Sequence, residues 1–306
     1  MCSLSRFVTQ FGMAPSTSTE AHAAYGLRWG GVADEALSVR DCSDWPLISI
    51  EQRLTDNLGG SEQEVSPDCA SIRTLTARLE LDRANSSIQM RSVEPVPVSD
   101  VIHPALWPAA AVFARWHGRE TFHAGAISFD GTNAWGILGD RGAGKSSLLA
   151  ALALEGVAVL ADDLVVVAGQ RCFAGPRCID LRPDAAAALG ITADTSLVRS
   201  TQRRRMSLPP CDGEYLLSGF IELRWGNDVW SDHLMPAEGF PLLVDHRRVA
   251  ALGADFEHLL DLVALPAVRL SRPREWRSPE RLVAELRRLV DPDKPPRTRR
   301  HLVAHR

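Results

Sequence analysis

The chain has 306 residues, 45% of them hydrophobic and 24% charged, with a formal net charge of −4. That length allows one large domain or two ordinary ones around a sizeable core, and the balance excludes wholesale disorder. So mild a charge gives no reason to expect nucleic acid or an anionic membrane as a partner.

Residues 1–20 are rich in Ser and Thr and read as frayed. Residues 24–98 form short segments separated by turn residues. Within them 73–81 (RTLTARLEL) alternates as a half-buried strand does, and 57–61 reads as a loop. Residues 1–98 are therefore expected to be a small, mostly β module. Two prolines in 93–97 mark a connection. The Ala-rich stretch 104–117 is helical in character, kinked or begun by Pro108.

Residues 121–129 read as one strand, Asp130-Gly131 as a two-residue turn and 132–138 as the return strand. A helix is expected over 147–155 with Gly156 at its C-terminal cap, then a buried strand 157–161 and another at 164–168. Further on come a short helix at 182–190 begun by Pro183, a basic loop at 201–210, and a strand at 220–225. A helix over 256–265 ends at Pro266, a strand follows at 267–270, and a last helix is capped by Ser278 with Pro279 at its first position. The domain that begins at 99 is expected to close at 290, leaving 291–306 as a Pro- and Arg-rich tail.

No apolar run reaches the about eighteen residues of a membrane-spanning helix, and the N-terminus lacks a basic region followed by an apolar stretch. A cytoplasmic protein is the expectation. The six cysteines (Cys2, Cys42, Cys69, Cys172, Cys178, Cys211) include no C-x-x-C pair. They read as reduced, mostly buried thiols rather than a disulfide or zinc site.

The chemistry sits between the hairpin and the next strand. Gly139, Asp140, Arg141, Gly142, Ala143, Gly144, Lys145 and Ser146 match the phosphate-loop pattern G-x4-G-K-S, with Ser147 opening the helix. Glycines let successive amides turn inward at phosphate oxygens, and the helix N-terminus adds partial positive charge. Lys145 is the cation for the β- and γ-phosphates, and Ser146 supplies a hydroxyl to Mg²⁺. Asp162 and Asp163 end the apolar run 157–161, where an α/β sheet faces its ligand. Neighbours on a strand point to opposite faces, so both can serve one site only if the strand stops there. One could then hold Mg²⁺ while the other takes the proton of an attacking hydroxyl. His123, alone on a strand, is by itself more often a satisfied core or surface residue.

Taken together, 121–127 (TFHAGAI), 139–146 (GDRGAGKS) and 159–166 (VLADDLVV) resemble the catalytic core of bacterial HPr kinase/phosphorylase. The likeness is closer to the HPr-kinase-like proteins found beside peptide-modification genes, such as those of lasso-peptide clusters. It is good over 117–167, weaker through 175–183 to 203–209, and faint at Tyr25-Gly26-Leu27. It implies an α/β fold: the P-loop kinase core shared with phosphoenolpyruvate carboxykinase, with a small N-terminal β module. It further implies ATP and Mg²⁺ as cofactors, transfer to a serine or comparable hydroxyl, and His123 beside an Asp pair that contains the base. HPr kinases are hexamers, so a homo-oligomer is a further expectation.

The glutamate and glycine-rich signature that true HPr kinases carry after the Asp pair is absent, which argues against HPr itself as substrate and against reverse phosphorolysis. The loop at Arg203, Arg204 and Arg205 could close over the triphosphate; a solvated basic loop is the equal alternative. Three functions stay open: a kinase acting on a peptide, protein or small-molecule hydroxyl; a nucleotide-binding regulatory module or slow NTPase; and, least supported, a phosphoenolpyruvate-carboxykinase-like enzyme.

Overall fold

The computed structural model describes residues 22–60, 63–191, 197–200, 203–274 and 279–290. The expected frayed start, the Ser278 cap and the tail at 291–306 lie outside them. The architecture is mixed α/β, with several sheets and few helices. None of the described helices is long and apolar enough to cross a membrane.

The N-terminal part is a seven-stranded sheet, in the order Ala23–Ala24, Leu27–Gly30, Leu47–Leu54, Ser87–Ser92, Ala77–Asp82, Cys69–Arg73 and Gln63–Val65. Alternation explains its one covered face: Ala77, Leu79 and Leu81 are buried, as are Ile88 and Met90 on the neighbouring strand. The helix Leu106–Trp116 shares that core. Trp116 Nε1 donates to Ser66 O at 3.0 Å, and Arg83 Nη2 to Trp116 O at 3.0 Å. The single strand expected over 73–81 is instead a hairpin. Its chain turns at Thr74, which caps the turn by hydrogen bonds in both directions with Ala77.

The second sheet runs Ala158–Ala161, Gly125–Ser128, Asn133–Leu138, Glu214–Trp225, Arg171–Phe173, Val165–Ala168, Glu120–Phe122. Ala267–Arg272 joins it alongside the long strand Glu214–Trp225. The Asp130-Gly131 hairpin forms, with Asp130 Oδ1 accepting from the amides of Thr132 and Asn133 at 2.8 and 2.7 Å. The helix Lys145–Leu154 lies on this sheet so closely that a Cβ on Gly125 would stand 2.6 Å from Leu149. Any larger residue there would push the Leu149 side chain aside.

The strand expected over 121–129 breaks in two. Glu120–Phe122 pairs at one end of the sheet path, and Gly125–Ser128 lies next to the other end. Five strand spacings separate them, about 24 Å in a flat sheet. The two residues between them can reach across at most about 11 Å. The chain makes the same jump between Ala161 and Val165. The sheet must therefore curl until its ends meet, and the seam contains His123, Asp162 and Asp163.

A correction concerns 201–210. Arg203–Ser207 is not a loop but the middle strand of a three-stranded sheet, between Cys178–Leu181 and Leu197–Ser200. A two-stranded bridge, Val39–Arg40 with Cys211–Asp212, ties the N-terminal part to this region. The described cysteines are all free, and all but Cys69 are buried.

Beneath the seam, Glu120 is fully buried and ion-paired to both Arg115 and Arg247, the latter at 2.9 Å. Removing one partner from a buried ionic group leaves the others uncompensated. Glu120→Ala should lower the unfolding free energy by about 3–5 kcal/mol, read as a lower urea midpoint at unchanged slope.

Candidate functional site

Asn133–Leu138 feeds directly into the glycine loop, and Gly139, Gly142 and Gly144 take φ values of 152°, 89° and 83°. Those conformations are closed to most side chains, which is why the loop needs glycine there. Four of the loop's carbonyls are occupied. Lys145 Nζ folds back to donate to Gly139 O at 2.6 Å and Asp140 O at 3.4 Å. Trp225 Nε1 donates to Gly142 O at 3.0 Å, and Arg272 Nη2 to Gly144 O at 3.2 Å. Arg272 is buried beneath the loop and stacks 4.2 Å from the Trp225 ring; burial lowers its pKa to about 10. Two of the loop's amides are engaged as well, Gly139 N–H on His246 and Ala143 N–H on Asp140 O at 3.0 Å. Those of Lys145, Ser146 and Ser147 open the helix and have no intrahelical acceptor. A Cβ on Gly142 would meet nothing, so that face of the loop is open. This cradle suits phosphate oxygens. Asp140 and Arg141 are exposed on the same loop.

The strand Ala158–Ala161 stops one residue before Asp162. Asp162 Oδ1 accepts from Ser146 Oγ at 3.1 Å and from the Asp163 amide at 3.0 Å. Asp163 adopts a left-handed backbone with φ 64°, and its Oδ2 meets His103 Nε2 at 2.7 Å. Burial and the neighbouring Asp163 charge raise the Asp162 carboxyl to about 7. Burial pushes Asp163 the same way, but the hydrogen bond and charge of His103 outweigh it and hold Asp163 below the usual carboxylate range. Among the described residues no cluster of three or more His, Cys, Asp or Glu could hold a metal. Mg²⁺ does not need one, because it binds through one or two protein groups plus phosphates and water. Ser146 and Asp162 fit that role.

His123 lies in the seam, where Nδ1 donates to the Asp163 carbonyl oxygen at 3.1 Å. It therefore contacts the pair through its backbone and not through a carboxylate. Burial, then the Lys145 charge, depress its pKa to about 4, so the ring is neutral. Burial also lowers Lys145, against the pull of both aspartates.

Arg205 is the residue the structure places differently. Its Nε and Nη2 grip the Asp180 carboxylate at 2.9 and 3.0 Å, and Nη1 donates to Ser99 O at 2.9 Å. Buried and bidentate on a buried carboxylate, it is not part of a loop that closes on a nucleotide. Arg204 sits beside it, in register with Leu181.

Four residues at the site carry no motif. His103 bonds to Asp163, and Asp180 backs it. His246 ends the helix Pro236–His246; Nδ1 donates to Leu242 O at 2.8 Å, so Nε2 accepts the Gly139 amide at 3.1 Å. Arg248 lies within electrostatic reach of Asp163, and its buried Nε has no hydrogen-bond partner among the described residues. One signal was present in sequence: Asp180 interrupts the apolar run of Cys178–Leu181, and a charge inside such a run is the informative exception.

Comparison with known proteins adds little. No family model matches the chain, and no curated protein matches it. Among solved structures, the HPr(Ser) kinase/phosphatase of Coxiella burnetii is similar over 55% of this chain and 93% of its own, at 13% identity and a TM-score of 0.30. The reaction must therefore be read from the site's own geometry.

The His246 acceptor gives a direct test of the loop's support. His246→Phe leaves the Gly139 amide without its partner, at a cost of about 1–3 kcal/mol. The unfolding free energy should fall by that amount, read as a lower urea midpoint at unchanged slope.

Proposed function

We propose that this protein is an ATP-dependent kinase, built on a P-loop core of the HPr kinase type, that transfers the γ-phosphate to a hydroxyl of a peptide, protein or small molecule. The observation that carries the reading is the hydrogen bond from Ser146 to Asp162, 3.1 Å, with a second carboxylate on the adjacent residue. A loop that only binds nucleotide has a use for the first acid but none for the second.

The roles divide by what each group already touches. The loop amides and Lys145 hold the phosphates. Ser146 and Asp162 are the ligands for Mg²⁺, which when bound neutralises charge on the β- and γ-phosphates. Asp163 is the base. Its Oδ2 is taken by His103, while Oδ1 has no partner among the described residues. The side chain keeps 30% exposure, so an acceptor can reach it, whereas Asp162 is engaged and buried. Asp163 is also the acid held in its charged form, as a proton acceptor must be. His123 steadies the Asp163 backbone without adding charge.

Asp163→Asn should lower kcat by roughly 100- to 10,000-fold while ATP affinity stays within about twofold. Asp162→Asn should instead raise the Mg²⁺ concentration needed for half-maximal rate. Mass spectrometry of candidate acceptors after incubation with MgATP reads both. Phosphoryl transfer that survives in Asp163→Asn would sink the assignment and leave a nucleotide-binding module.

A further inference from the structure

The base is bonded by a side chain from a distant segment. His103 belongs to the stretch Val101–Ala105 that leads into the helix Leu106–Trp116, and its backbone is extended, at φ −150° and ψ 123°. That breaks the helical path and turns the ring into the seam. Nε2 meets Asp163 Oδ2 at 2.7 Å, and Nδ1 meets Asp180 Oδ2 at 2.8 Å. Both ring nitrogens thus face carboxylates. Asp180, with its side chain 1% exposed, is clamped on its far side by both arms of Arg205. The same guanidinium donates to His103 O at 3.2 Å, so it fixes the histidine's backbone as well as its carboxylate partner.

We infer that His103 is the positioning residue of the transfer reaction: it aims the Asp163 carboxylate at the acceptor hydroxyl, and Asp180 with Arg205 fixes its own orientation. The inference rests on the kinase reading above. The four groups form one line, Asp163–His103–Asp180–Arg205, with alternating sign. Asp163 keeps the most exposure, 30% of its side chain; His103 is half-buried, and Asp180 and Arg205 are buried. His123 fixes the Asp163 carbonyl, and among the described residues His103 provides the one side-chain hydrogen bond to its carboxylate. Without His103 the carboxylate can rotate, while the phosphate loop keeps its own supports in Trp225, Arg272 and His246. The effect belongs in kcat and not in nucleotide affinity, because a misaimed base loses alignment in the transition state alone.

The test uses the full chain with γ-labelled ATP, Mg²⁺ and a pool of serine-containing peptides, with water as the competing acceptor. Label transfer, ADP release and the affinity for a fluorescent ATP analogue are measured together. His103→Gln should lower kcat roughly 10- to 100-fold with affinity within about twofold. Asp180→Asn, which keeps the shape and leaves His103 present, should lower kcat by about 3- to 10-fold. The double variant should be no slower than His103→Gln alone, since both act through one line; a general packing defect would multiply the two effects and shift affinity. If His103→Gln melts early, Asp180→Asn carries the test, and an unchanged kcat there overturns the proposal. Loss of transfer in Asp163→Asn with normal kcat in His103→Gln overturns this inference and spares the kinase reading. A parent chain that passes label only to water, or to nothing, overturns the kinase reading and with it the inference that rests on it.

Discussion

Asp162 and Asp163 are neighbours in the chain, both are largely withdrawn from water, and both border a loop shaped for a polyanion. Two carboxylates so placed repel each other and pay for desolvation, so they cannot share one environment. The seam separates them. Asp162 turns to the Ser146 hydroxyl and the Asp163 amide and is pushed towards its protonated form. Asp163, with its backbone flipped to a left-handed conformation, turns to His103 and stays ionised. Adjacent identical residues thereby acquire different chemistry, which is how a site can assign one acid to a metal and another to a proton.

The curled sheet makes that separation possible. A regular strand through 161–165 would send the two side chains to opposite faces and engage their amides in a ladder. Instead the ladder stops at Ala161 and resumes at Val165, and the backbone groups between find other partners. The Asp163 amide goes to Asp162, and its carbonyl to His123. The amide of His123, left unpaired by the matching gap, goes to His246 O at 2.7 Å. Because His246 also accepts the Gly139 amide, one residue couples the seam to the start of the phosphate loop. Buried amides and carbonyls need partners, and the His123 amide finds its partner on the helix Pro236–His246.

What was legible in sequence was what is locally determined. The glycine loop could be read because its backbone conformation restricts residue type position by position. The hairpin could be read because Asp130 and Gly131 make their turn among themselves. The acid pair could be read because an apolar run stops at it. His103 could not: it stands 60 residues before Asp163 and the two meet only through the tertiary fold. The break at His123 was hidden for the same reason. Residues 121–129 are apolar enough for one strand, and only the closing of the sheet demands that the chain leave the ladder midway.

The arginines at 203–205 show the opposite failure, a local pattern that misleads. Three consecutive cations read as solvent-facing, because charges are rarely buried without partners. Yet a strand sends alternate residues inward, and Arg205 is sent to Asp180, a partner invisible in its own neighbourhood. Moving Arg205 onto a triphosphate would take from the Asp180 carboxylate, 1% exposed, its bidentate partner and leave it only His103, a loss of up to about 3–5 kcal/mol. It would also release the His103 carbonyl. Charge from Arg205 therefore reaches the site through Asp180 and His103, and any cation that meets the transferring phosphate directly must come from elsewhere in the fold.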